Sequence, residues 1–70
     1  MTPLTLASPG EYNLIKKISG KDEIRLHLEN LGFIAGTPIV LITEIAGNVI
    51  VSIKESRVAI SREMANRIIV

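Results

Sequence analysis

The sequence predicts a mainly β domain with one α-helix, built as a small, strongly bent antiparallel sheet that closes into a partial barrel. Three observations carry this expectation. The large apolar residues are mostly Ile, Leu and Val, with Phe33 and Tyr12 the only aromatics, and such side chains suit pleated, half-buried surfaces. A single stretch, Asp22 to Leu31, has clear helical periodicity. The other apolar runs are short and joined by tight turns, without the long crossover that parallel strands require. A chain of 70 residues holds one domain, 1–70, and a sheet this small protects its edges best by curling.

Taken in order, Ser8-Pro9-Gly10 reads as a turn and is followed by a strand from Tyr12 to Ile18, which Gly20 ends. In the next segment Ile24, Leu28 and Leu31 stand at i, i+4 and i+7 and are expected to face inward, with Asp22 and Glu23 in the first turn, where the helix dipole favours acids. Gly32 can take the left-handed conformation that closes the helix. Ala35-Gly36-Thr37-Pro38 forms a second turn, and Thr37, preceding proline, is pushed toward extended backbone.

Pro38–Ile45, a reversal at Ala46-Gly47-Asn48 and the return Val49–Ile53 read as a β-hairpin. Val49, Val51 and Ile53 line its buried face, while Ile50, Ser52 and Lys54 line the other. Lys54-Glu55-Ser56 turns the chain into a short strand, Arg57–Ile60. Ser61 is placed to cap one helical turn, Arg62–Ala65, before a last strand, Arg67–Val70.

Composition narrows the function. Eight Lys/Arg against seven Asp/Glu give a net charge of +1, too weak a field to gather a polyanion, so no nucleic acid is expected. There is no cysteine, which excludes disulfides and thiolate metal sites and leaves stability to packing, with weak homo-oligomerisation as a further source. A mean hydropathy of +0.39 supplies enough apolar material for a core. The opening MTPLTLASPGEY lacks the features of a signal peptide, and no apolar run approaches the roughly 20 residues that span a bilayer. A cytoplasmic location follows as the expectation, with membranes met only through a partner.

Candidate chemistry is sparse. Glu23 and His27 stand at i and i+4 on the helix, the minimum for a two-ligand metal site, yet there is no second histidine. Asp22, Glu29, Glu44, Glu55 and Glu63 show no converging spacing. His27 therefore reads as a surface histidine beside an acid, and a metal would need ligands from another chain. No serine sits in a nucleophile-elbow pattern and no phosphate-binding loop is present, so neither catalysis nor a cofactor is expected.

The run LENLGFIAGTPIVLI, preceded by SPGEYNLIKKISG and followed by VIVSIKESRVAISREMANRIIV, resembles the FeoA family over nearly the whole chain. The most specific features are Leu28, Leu31, Gly32 and Gly36 around the helix end, and RVAIS with EMANRIIV at the chain's end. The resemblance implies an SH3-like, partly open antiparallel barrel. It also implies a non-enzymatic accessory role in ferrous iron uptake, with a FeoB-type transporter as the partner on its cytoplasmic side. Two departures bear on the partner: the hairpin loop is short, and Leu26 stands where the family more often has a basic or polar residue.

The same barrel also forms a C-terminal domain of DtxR-type metal-dependent repressors, so a free-standing regulatory domain docking on such a repressor is an alternative. A nucleic-acid-binding barrel using Lys16, Lys17, Lys21 and Arg25 is another, and it lacks stacking aromatics. A groove for proline-rich peptides lacks them too.

The candidate partner-binding residues are Leu26, Phe33, Ile34 and Arg57. Leu26 is expected to be exposed, opposite the inward helix face. Of Phe33 and Ile34, one should pack beneath the helix end and the other remain partly exposed. Arg57 and Arg62 flank the VAIS strand, where either could reach a phosphate and both would deter edge-to-edge pairing.

Overall fold

A computed structural model describes residues 2–70. The chain runs through a 3-10 turn at Leu4–Leu6, β1 (Tyr12–Leu14), β2 (Lys17–Ile18), α1 (Asp22–Asn30), β3 (Pro38–Ile45), β4 (Asn48–Ile53), β5 (Ser56–Ser61), the single-turn helix α2 (Arg62–Ala65) and β6 (Ile68–Ile69). Two antiparallel sheets result, one in the order β1-β3-β4-β5 and one pairing β2 with β6. This is the mainly β, partly open barrel that the sequence predicts.

The first strand differs from its expected form. The run Tyr12–Ile18 is broken, its first half pairing with β3 and its second with β6. At the corner, Ile15 N–H donates to the Thr37 carbonyl at 3.0 Å and Lys16 N–H to the Ile69 carbonyl at 2.7 Å. A strand that switches sheets lets a small barrel bend through a right angle without losing its backbone bonds. Ile15 is buried at that corner.

Both hairpins close through two residues in left-handed backbone, Ala46-Gly47 (φ 49° and 81°) and Lys54-Glu55 (φ 49° and 65°). Two consecutive positive φ values describe the type I′ turn, whose twist matches that of the flanking strands. The first reversal is thus one residue shorter than expected, because Asn48 already pairs with Ile45. A bulge between Leu41 and Thr43 adds curvature to the β3–β4 pair.

The core is aliphatic and continuous. Val49, Val51 and Ile53 face inward as expected, joined by Ile39, Leu41 and Ile60 from the neighbouring strands and by Leu28, Phe33 and Ile68. Leu4, in a segment the sequence left without structure, is fully buried. The Thr5 hydroxyl bonds the Asn66 side chain at 2.5 Å, tying the 3-10 turn to the chain just past α2.

Leu31 departs from expectation: it is 44% exposed. The helix stops at Asn30 and Leu31 is its C-cap. Gly32 then turns the chain at φ 104°, its N–H bonding the Glu29 carbonyl and the Phe33 N–H bonding the Leu28 carbonyl, both at 3.0 Å. This pair of bonds is the Schellman arrangement, which carries a hydrophobic contact between its last residue and the helix end. Phe33 thereby takes the core position that strict periodicity gives to Leu31.

Candidate partner-binding surface

α1 sits with Leu28 fully buried and Ile24 partly buried against the core. A turn of 100° per residue puts Leu26 almost diametrically opposite Leu28, and it is 55% exposed. Its neighbours one turn away are Asp22, Glu23, Glu29 and Asn30, all exposed. The acidity of this face is partly offset by Arg25, which donates to Asp22 at 2.8 Å. Leu26 is thus an aliphatic side chain standing alone on a polar, mostly acidic helix face.

Beyond the helix end, Leu31 and Ile34 are both part-exposed. Phe33 is fully buried, so the expectation that it touches a partner is corrected: it holds up the helix terminus from beneath. Ile34 keeps its surface because the Schellman bonds turn Phe33 inward, and alternating direction puts the next side chain outward. Leu31 is a surface residue that sequence reasoning missed. The signal was Gly32 itself, since a C-terminal cap removes the preceding residue from the helical phase.

Arg57 lies on β5 and is exposed, with no ion pair among the described residues. Arg62 differs: it begins α2 and its guanidinium bonds the Glu44 carboxylate on β3. The two arginines expected to act alike are therefore unlike in structure, one free and one tied. Leu26 and Ile34 belong to α1 and its exit, whereas Arg57 belongs to the far edge of the four-stranded sheet.

His27 and Glu23 are exposed on α1, and no group of three or more His, Asp or Glu side chains converges among the described residues. A cleft lies between the start of α1 and the segment around α2, lined by Gly20, Lys21, Ile24, Glu63 and Arg67. There the Arg67 side chain packs on Gly20, and its Nε is shut from solvent without a hydrogen-bond partner. No helix among the described residues is long and apolar enough to cross a membrane.

The family model of the FeoA domain matches residues 2–70. The chain belongs to the FeoA domain family. Among curated proteins, it is 36% identical over 70 residues to a Methanocaldococcus jannaschii protein with the provisional name Fe(2+) transport protein A, covering 100% of this chain and 85% of that one. Among solved structures, this FeoA-domain chain is similar to an iron uptake regulatory protein, FeoA. The TM-score is 0.84 at 30% identity, with 96% of this chain and 89% of the other covered.

Two more distant structures share the fold. A manganese-dependent transcriptional repressor matches with a TM-score of 0.83 at 19% identity, over 94% of this chain and 38% of the repressor. Stenotrophomonas maltophilia FeoA, a prokaryotic SH3 domain protein solved with zinc, matches with a TM-score of 0.69 at 20% identity, over 83% of this chain and 74% of that one. The same fold thus makes up the greater part of one chain and a minor part of a longer one.

Proposed function

We propose that this protein is a non-enzymatic accessory factor of ferrous iron uptake that binds the cytoplasmic part of a FeoB-type transporter through the exposed face of α1, with Leu26 as its apolar anchor. Membership of the FeoA domain family and the 36% identity to a protein named for Fe(2+) transport support the iron-uptake role. The observation that carries the surface is Leu26, more than half exposed at the point of α1 farthest from the core. A leucine more than half exposed among acids gains little from the packing of this fold, whereas enclosure by a partner would remove its remaining apolar surface from water.

Ile34, with Leu31, offers a second exposed apolar spot past the helix end. Arg57 contributes separately, as a free guanidinium able to reach an acidic or phosphate group. A transporter that hydrolyses nucleotide gives such an arginine a purpose, and the transport or nucleotide cycle is the quantity the interaction modulates.

The test is capture of the cognate transporter, solubilised whole, by the tagged protein and by its Leu26→Asp variant. Leu26 is more than half exposed, so the substitution should cost only about 1 kcal/mol of folding stability, from weaker helix propensity and added like charge, while lowering transporter binding at least about tenfold. Recovery of the transporter by both proteins would move the interface away from Leu26. Recovery by neither, in every nucleotide state, would overturn the reading.

A further inference from the structure

The outer edge of β5 supports an inference independent of the transporter reading. β5 ends the order β1-β3-β4-β5, so only one of its edges is paired. Two contacts fix which backbone groups remain. The hairpin closes on Ile53 opposite Ser56, and Arg62 N–H donates to the Gly47 carbonyl at 3.0 Å. Bonded residues alternate along an antiparallel ladder, so Ser56, Val58, Ile60 and Arg62 turn their N–H toward β4. Arg57, Ala59 and Ser61 turn theirs outward, and no backbone partner outside the ladder meets them among the described residues.

Sheet edges are ordinarily blunted by proline, bulges or charge. β5 contains no proline, and its register with β4 is unbroken from Ser56 to Ser61, the sheet's bulge lying between Leu41 and Thr43. The expectation that two arginines guard this edge fails for Arg62, which leaves the strand to begin α2 and bonds Glu44. Arg57 is the one charge left on it.

We propose that β5 pairs antiparallel with β5 of a second copy of this chain, about a two-fold axis at Ala59. Charge selects this register. An axis at Val58 would set the two Arg57 positions about 7 Å apart along the strand, inside the Debye length of about 8 Å at physiological salt. An axis at Ala59 sets them about 14 Å apart and places Arg57 opposite Ser61 of the partner subunit. An axis closer to the C-terminus runs into α2 at Arg62.

In the selected register Ala59 exchanges both backbone bonds with its copy, and Arg57 exchanges with Ser61 of the partner subunit. Only a methyl group stands at the axis, so nothing props the strands apart. On the inner face Val58 and Ile60 lie across from each other, a favourable cross-strand pair. One strand pair buries less than the roughly 1,200 Å² of the smallest stable specific interfaces, so the dimer is weak and fills only at high concentration.

Sedimentation of the full chain from about 10 µM to about 1 mM, spanning the affinities of weak complexes, tests the proposal alongside amide hydrogen exchange. The expected result is a rising dimer fraction, with exchange at Arg57, Ala59 and Ser61 slowing several-fold while Val58 and Ile60, already bonded to β4, do not change. Ala59→Lys, which sets two ammonium groups face to face at the axis, should return the chain to monomer with an unchanged far-UV spectrum. Ala59→Pro should do the same by removing an N–H that β4 does not use.

A chain that stays monomeric throughout would overturn the proposal. So would a dimer that survives both substitutions, or protection of these three amides that appears only when the transporter's cytoplasmic part is added.

Discussion

Gly32 does more to place the candidate surface than any residue on it. Its φ of 104° ends α1, turns Phe33 into the core and leaves Leu31 and Ile34 outside. Nothing lies within 4 Å of where a Cβ would stand, so Gly32→Ala meets conformational strain alone. It should cost about 1–2 kcal/mol, seen as a lower urea midpoint with an unchanged slope. Lys54 and Glu55 show the converse, because both occupy left-handed backbone without being glycine or asparagine. Lys54→Asn with Glu55→Gly suits the type I′ turn and should stabilise by about 1 kcal/mol, raising Tm by about 4–8 °C in thermal unfolding. The glycine stop was legible in the sequence because Gly has one common reason to follow a helical run. The strained turn was legible only as a turn, since its type depends on the register of the strands it joins.

At the scale of elements, α2 is a helix of one turn, too short to persist by its own propensity. The Ser61 hydroxyl accepts from the Met64 N–H at 3.1 Å, and Ala65 is fully buried beneath. Ser61→Ala should therefore cost about 1 kcal/mol by chemical denaturation, and loosen the connection that brings β6 back to β2. This cap was readable in advance because serine before a helical turn offers its oxygen to a specific N–H. The corner at Ile15 was not: an aliphatic run from Tyr12 to Ile18 has the same periodicity whether it keeps one partner or exchanges it for another. Leu4 was hidden for a related reason, since three residues of 3-10 turn leave no repeat to detect.

For the whole molecule, the fold was recoverable from the chain because aliphatic alternation, tight turns and one helix admit few closed arrangements. The candidate surface was recoverable only in part. The exposure of Leu26 followed from helical phase, and that of Ile34 from its place after the cap. The opposite fates of Arg57 and Arg62 depended on Glu44, a residue 18 positions from Arg62 whose nearness only the three-dimensional structure reveals.

The proposed partner, likewise, rests on kinship and surface chemistry together, as the fold itself is shared with part of a manganese-dependent repressor. Thr2 and Val70 exchange backbone hydrogen bonds, at 3.0 Å and 2.8 Å, so the two ends of the described chain lie side by side. A domain whose entry and exit nearly coincide can be spliced into a host polypeptide as a self-contained bead, hanging from one point.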